Sequence, residues 1–159
     1  MRRAFQVVAW LIAGLVAVQA AMVAFFGSGE SKYIDGGGVI DRAMVESAQS
    51  SGELPFPEVI GALVHGVNGG MVIPVVALVL LGLSFGTASP GARKWAGIVV
   101  GLVVVQVTLG YSQGGLPALG LLHGTNALLL FAATLHAARL AGRDAPTGAA
   151  ASDLTASAV

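Results

Sequence analysis

The sequence predicts an all-α integral membrane protein, a bundle of four transmembrane helices built as a duplicated helical hairpin. Hydrophobic residues make up 55% of the chain and charged residues only 10%, and the mean hydropathy is +0.83. These values exclude an ordinary soluble domain. The sequence also contains no cysteine. A disulfide framework, a thiolate metal site, an iron–sulfur cluster and a cysteine nucleophile are therefore excluded.

Four apolar segments are each long enough to cross about 30 Å of hydrocarbon at about 1.5 Å per residue. They cover residues 4–26, 59–85, 95–115 and 116–140. The long acidic connection 27–58 is predicted to be an outer loop, with a turn at 35–38 and a short surface helix over 39–48. Residues 142–159 are rich in Ala, Ser, Thr and Gly and are predicted to form a disordered cytoplasmic tail.

Basic residues cluster at one end of the predicted spans, and the positive-inside rule converts this bias into a topology. Six of the eight lie there: Arg2, Arg3, Arg93, Lys94, Arg139 and Arg143. Both termini and the loop 86–94 are therefore predicted to be cytoplasmic, in a bacterial-type cell membrane. A signal peptide is the alternative for the first segment, but its apolar run extends well past the candidate cleavage site at 18–20.

An internal repeat relates the two halves of the predicted bundle. The pattern His-Gly-x-Asn occurs in the second and fourth spans, at 65–68 and 123–126. The first and third spans share the pattern Val-x-Val-Gln, at 16–19 and 103–106. Both copies have the same orientation, so the sequence predicts a parallel repeat with its axis along the membrane normal.

Polar residues of the repeat fall at one depth, about 10 Å below the outer surface at the rise of a helix. One comes from each span: Gln19, His65, Gln106 and His123. Because polar side chains inside a membrane face the bundle interior, they are predicted to form one polar layer. Asn68 and Asn126 follow the histidines by three residues and share their helix faces.

Two neutral imidazoles on facing helices are an axial ligand set for b-type haem, which makes His65 and His123 the candidate metal ligands. The glutamine and asparagine side chains are predicted to accept the free imidazole N–H and so select each tautomer. Glycines beside the histidines, Gly66 and Gly124 among them, would let a flat macrocycle approach the backbone. Zinc is less favoured, because no carboxylate or thiolate joins the histidines at this depth.

The alternative function is a non-enzymatic accessory or assembly subunit with no cofactor. Its polar layer would only hold the bundle together, at about 0.6 kcal/mol per interhelical hydrogen bond. A small transporter is less favoured, because no carboxylate lies in the predicted membrane interior. His136 is predicted to be interfacial, beside Arg139, and Pro74 is predicted to kink the second span. No catalytic residue and no nucleic-acid-binding patch is predicted, and whether the chain is an enzyme stays open.

The stretches 19–29, 63–70 and 106–123 resemble one half of haem A synthase. That family has eight spans in two four-helix bundles, and paired histidines on the second and fourth helices of a half bind haem. The resemblance implies a haem-binding scaffold with His65 and His123 as ligands. Many catalytic halves carry an outer-loop cysteine pair and a glutamate one turn before the second-helix histidine. Here cysteine is absent and Ala62 occupies that position, which favours haem holding over haem oxidation.

The chain also looks like small four-span bacterial membrane proteins of unassigned function, a likeness that implies no chemistry. The leading hypothesis is therefore one haem b near the outer face of the bilayer, used for electron transfer or haem handling. Since both axial positions would be filled by histidine, electron transfer is favoured over oxygen activation. Another membrane redox protein or a quinone is the expected partner.

Overall fold

All regular elements of residues 1–143, the part of the chain described by this computed structural model, are helices. They are α1 (Arg2–Asp35), α2 (Arg42–Ser51), α3 (Val59–Val67), α4 (Ile73–Phe85), α5 (Ala92–Ser112) and α6 (Ala118–Arg143). A π-helical segment, Asn68–Val72, joins α3 to α4 without a break, and a 3-10 turn, Gln113–Gly115, follows α5. The predicted disordered tail lies, from residue 144 onward, outside the described residues.

Four of these helices are long and apolar enough to cross a membrane: α1, the continuous α3–α4 rod Val59–Phe85, α5 and α6. The predicted all-α class with four membrane-spanning helices is thereby confirmed. Around the bundle, α1 packs against the α3–α4 rod, α4 against α5, α5 against α6, and α6 against α1. The two helices of each predicted hairpin are thus neighbours.

The first helix is longer than its apolar segment and continues from Phe26 to Asp35. The prediction that residues 27–35 belong to a loop is therefore wrong. The Ser28 and Ser31 hydroxyls donate to carbonyl oxygens one turn earlier in the helix, so the polar residues are accommodated without breaking it. Hydropathy marks the part of a helix that suits a bilayer, and it does not mark where the helix ends.

The loop between the first two spans contains the short surface helix α2. It begins after Asp41, whose side chain caps it by accepting a hydrogen bond of 2.8 Å from the Met44 N–H. It ends at Gly52, which has a φ of +73° that favours glycine. The predicted surface helix over 39–48 therefore exists, and it starts and ends about three residues later.

A tightly packed core occupies the half of the bundle on the basic side of the polar layer. Its largest fully buried apolar side chains are Phe5, Ile12, Leu80, Val99 and Leu130. Buried alanines on all four spanning rods lie between them, and such small residues let membrane helices approach closely. All four spanning rods contribute to this core, so it holds the bundle together on the basic side of the polar layer.

Pro74 explains the π-helical segment. Proline has no N–H and cannot donate to the carbonyl four residues earlier, so the regular α-helical ladder is interrupted there. The Ile73 N–H instead donates to the Asn68 oxygen, five residues back. The predicted kink thus takes the form of a π-helical turn, a feature often found at functional sites. It lies directly after the His65–Asn68 motif.

Candidate functional site

The two motif histidines meet inside the bundle. His65 on α3 and His123 on α6 have ring centroids 6.1 Å apart, and their planes are inclined by 54°. Both side chains are partly buried. They belong to diagonally opposite rods, so the pair spans the interior from one predicted hairpin to the other.

Each imidazole is anchored through Nδ1 to a main-chain carbonyl. His65 Nδ1 lies 3.4 Å from the Gln19 oxygen, and His123 Nδ1 lies 3.1 Å from the Gln106 oxygen. Because a carbonyl oxygen can only accept, Nδ1 of each neutral imidazole carries the proton and Nε2 keeps its lone pair. In the part of the chain that the structure describes, neither Nε2 makes a hydrogen bond.

These contacts correct the predicted orientation of the histidines. Amide side chains were expected to accept the imidazole N–H, but the acceptors are the backbone carbonyls of Gln19 and Gln106. Of the four candidate residues, the two glutamines contact the imidazoles, through the main chain and not the side chain, while Asn68 and Asn126 bond to other groups. A sequence motif reports side chains, whereas a main-chain acceptor depends on how two helices pack.

The amide side chains of the first hairpin hold α1 against the α3–α4 rod. Asn68 Nδ2 donates to Gln19 Oε1 and to the Leu15 oxygen, both at 3.2 Å. Gln19 Nε2 donates to the His65 oxygen at 3.0 Å. Both polar atoms of the Gln19 amide are therefore hydrogen-bonded. Asn68 Oδ1, by contrast, is buried without a partner among the described residues.

The second hairpin repeats this arrangement between α5 and α6. Asn126 Nδ2 donates to Gln106 Oε1 at 2.6 Å and to the Leu102 oxygen at 2.9 Å. The leucine lies four residues before the glutamine in both hairpins. One difference breaks the symmetry. Within the described residues Gln106 Nε2 makes no hydrogen bond, whereas Gln19 Nε2 does.

Two cavities flank the histidine pair. The larger has a volume of about 570 Å³ and is walled mainly by α1 and α6, with an apolar lining. The smaller has a volume of about 140 Å³ and lies between α5 and the rod that carries His65. Both cavities are lined by Gln19, His65, Gly69, Gln106, Val107 and His123. They therefore meet at the histidines and form one slot across the bundle.

Glycines help to keep this slot open. A side-chain carbon at Gly69 would collide with the Gln19 amide nitrogen, and one at Gly110 would lie 3.2 Å from His123 Cε1. At Gly66 and Gly124 such a carbon would meet no protein atom within 4 Å, and each of these glycines lines one of the cavities. Their role in admitting a macrocycle stays a prediction.

Sequence reasoning missed Gly110 and Tyr111, which line the smaller cavity. Tyr111 follows Gln106 by five residues, and a helical side chain leans towards the N-terminus of its helix. This lean is the sequence signal that would place Tyr111 near the cavity. In the structure the Tyr111 hydroxyl does reach the cavity wall formed by Gly70. A side-chain carbon at Gly70 would lie 2.9 Å from this hydroxyl oxygen.

Two titratable side chains, His136 and Glu58, lie away from the site. His136 stacks on Trp95 at the basic end of the bundle, with ring centroids 4.0 Å apart. Glu58 forms an ion pair with Lys32 across 3.6 Å, outside the apolar segments. No group of three or more His, Cys, Asp or Glu among the described residues is arranged to hold a metal ion.

Comparison with known proteins adds no family to these observations, since no family model, curated protein or solved structure matches this chain. The chemistry of the site therefore rests on its own residues. These are two oriented imidazoles with free Nε2 atoms, an amide network that supports them, and an apolar slot on either side.

Proposed function

We propose that this protein binds one b-type haem between His65 and His123 and serves in electron transfer or haem handling. The observation that carries the proposal is the pair of imidazoles, each with Nδ1 bound to a carbonyl and Nε2 unpartnered. Histidines that ligate a metal almost always donate their other ring N–H to such an acceptor, which fixes the tautomer and the ring orientation.

The separation of the two rings fits a metal between them. Metal–nitrogen bonds of about 2.0 Å and a ring radius of about 1.1 Å, set by C–N bonds of about 1.33 Å, place two opposed imidazole centres about 6.2 Å apart. The observed centroids are 6.1 Å apart. With only two side-chain donors at this point, the remaining ligands would have to come from a macrocycle.

The slot has the volume and the lining that a large apolar ligand needs. Its larger part, about 570 Å³, falls within the range of about 300–1,000 Å³ that is usual for ligand pockets. It is lined mainly by small and aliphatic side chains of α1 and α6, among them Ala17, Ala20 and Ala127. Such walls would exclude water from the ring, and the smaller cavity extends the slot on the opposite side of the histidines.

The equivalent networks support a duplicated helical hairpin in which each copy supplies one axial ligand. Gln19 and Asn68 make in one hairpin the contacts that Gln106 and Asn126 make in the other. The resemblance to a haem A synthase half supports the same assignment of ligands to the second and fourth spans. That four residue types recur with the same partners is difficult to explain by chance matches of short apolar motifs.

The supporting residues would act by holding and insulating the group. Haem supplies reversible one-electron chemistry when bound. The carbonyls of Gln19 and Gln106 would orient the two imidazoles, and with both axial positions taken by the protein, oxygen activation is disfavoured. A second membrane redox protein or a quinone would exchange electrons with the site.

A purely structural polar layer explains less. In the described residues its hydrogen bonds join α1 to the α3–α4 rod and α5 to α6, but none joins one hairpin to the other. An accessory subunit held together by this layer would need bonds across the gap. Instead the gap holds two cavities and two unpartnered Nε2 atoms.

Absorption spectroscopy of the wild-type protein tests the proposal. We expect protein purified in mild detergent from haem-replete cells to show a b-type reduced-minus-oxidised spectrum, with one haem per chain. Protein that is colourless as purified should gain the same spectrum on titration with haem. A preparation that stays colourless after both steps contradicts the proposal and leaves the structural alternative.

We also infer that both termini are cytoplasmic, in a bacterial-type cell membrane. The support is the position of the basic residues at one end of the bundle, in the first turn of α1, the first turn of α5 and the last turns of α6. The slot then opens nearer the outer surface, on the side of α2.

Cysteine labelling tests this orientation without background, because the chain has no cysteine. A membrane-impermeant maleimide should label Ser47→Cys in α2 on intact cells. It should label Ala88→Cys, between α4 and α5, only after the cells are permeabilised. Both positions are exposed, so the difference reports the side of the membrane. The reverse pattern would overturn the orientation and leave the bundle itself unaffected.

A further inference from the structure

We propose that Gln106 and Tyr111 form a hydrogen-bonding subsite in the smaller cavity, and that this subsite holds a carboxylate of the tetrapyrrole bound between His65 and His123. The inference rests on the proposed haem function and deepens it. It assigns an orientation to the ligand, with its carboxylate edge in the smaller cavity and its hydrocarbon edge in the larger one.

The Tyr111 hydroxyl supplies the first donor. Most of the Tyr111 ring is exposed on the surface of the bundle, but its hydroxyl oxygen turns back against Gly70, where a side-chain carbon would lie only 2.9 Å away. Within the described residues this hydroxyl has no hydrogen-bond partner. A hydroxyl without a partner can donate its O–H, so it is available to an acceptor bound in the cavity.

The Gln106 side chain supplies the second donor. Its Oε1 accepts from Asn126, which leaves the two N–H groups of Nε2 without a partner among the described residues. The equivalent nitrogen of Gln19 donates to the His65 oxygen. Both Gln106 and Tyr111 lie on α5 and line the smaller cavity, so one helix presents two uncommitted donors to the same space.

The contrast between the two cavities selects the edge of the ligand that each would receive. Haem has two propionate carboxylates along one edge and mainly hydrocarbon substituents elsewhere. The walls of the larger cavity away from the shared layer are apolar side chains and glycine, such as Ala20, Gly124 and Phe131. The smaller cavity alone is lined by Tyr111, and it shares the free amide of Gln106 with the larger cavity. Hydrogen bonds from such donors to a charged acceptor are stronger than those between neutral groups.

The subsite is tested by replacing Tyr111, with the same replacement of Tyr33, the other tyrosine of the chain, as the matched control. Tyr111→Phe removes only the hydroxyl, and Tyr33→Phe makes the same change in the aromatic cluster outside the spans, where Tyr33 packs on Phe56. Each apoprotein is titrated with haem and with iron etioporphyrin, which has no carboxyl group. We expect Tyr111→Phe to weaken haem binding by about tenfold and Tyr33→Phe to leave it unchanged.

The carboxyl-free porphyrin separates a hydrogen bond from a change in packing. Iron etioporphyrin should bind Tyr111→Phe as tightly as it binds the wild type. Equal losses for both ligands would overturn the carboxylate subsite, and so would haem affinities for Tyr111→Phe and Tyr33→Phe that agree within about twofold. A wild-type protein that binds neither ligand would overturn the proposed function together with the subsite.

A second pair of variants tests the same contact from the opposite wall. Gly70→Ala places a methyl group against the Tyr111 hydroxyl, whereas Gly82→Ala, on the same rod but lining neither cavity, adds a methyl group with nothing within 4 Å. Gly70→Ala should therefore weaken haem binding as Tyr111→Phe does, and Gly82→Ala should not. Equal affinities for the two alanine variants would contradict the proposed position of the donor.

Discussion

With the proposed haem between His65 and His123, replacing either histidine with alanine is expected to abolish the b-type spectrum. Each substitution leaves one imidazole across the slot, and a single side-chain ligand cannot hold the low-spin, two-histidine state. Even outer-shell partners of a metal site change affinity by about 10- to 100-fold, so loss of a ligand should reduce haem content by at least about tenfold. Reduced-minus-oxidised spectra and haem-to-protein ratios measure both effects.

The third histidine provides the matched control. His136→Ala makes the same chemical change at the other end of α6, where the ring stacks on Trp95 and does not line the slot. It should retain the wild-type spectrum. In His65→Gly, added imidazole should restore the spectrum by occupying the vacated position. A His65→Ala or His123→Ala protein with unchanged haem content would refute the axial assignment.

The second large effect is expected at Gly61, where α3 packs against α1. A side-chain carbon there would lie 2.5 Å from the Met22 oxygen and 3.1 Å from the Phe26 nitrogen. These are backbone atoms, so the clash can be relieved only by separating the two helices. Overpacking of this kind costs about 1–3 kcal/mol, and we expect Gly61→Ala to lower the free energy of unfolding by that amount.

Unfolding followed by circular dichroism in detergent, with increasing denaturant, measures this change. Gly66→Ala is the control, because it lies five residues along the same helix and meets nothing within 4 Å. Alanine favours a helix over glycine by about 1 kcal/mol, so Gly66→Ala should be at least as stable as the wild type. If Gly61→Ala and Gly66→Ala unfold at the same denaturant concentration, the close contact between α1 and α3 is not formed. A shifted α3 would also displace His65 and weaken haem binding.

The sequence predicted which residues come together inside the bundle better than it predicted which of their atoms contact one another. Spacing of the two His-Gly-x-Asn motifs placed His65, His123, Asn68 and Asn126 together, because a helical rise converts position along the chain into depth. The acceptors of the imidazole protons, however, are the main-chain carbonyls of two glutamines. A carbonyl is present at every residue, so a sequence contains no sign of which one an imidazole will reach.

The glycines near the histidines show the same difference between what the sequence predicts and what helix packing decides. Gly66 and Gly124 adjoin the histidines in sequence, and side chains added there would meet no protein atom within 4 Å. Gly110 carries no motif, and a side chain there would press on His123 from the neighbouring helix. The need for a small residue is set by what lies opposite in the bundle, which local sequence does not record.

The sequence by itself determined the class of this protein, its four membrane-spanning helices and the polar residues shared by its two halves, because hydropathy, length and spacing are local quantities that add along the chain. Only the tertiary structure decided that α1 continues to Asp35, that a π-helical turn follows His65, and that the histidines flank a slot with Tyr111 at one side. Each of these depends on how far two helices approach or separate. That distance results from side chains distant in sequence, packed against one another in the core.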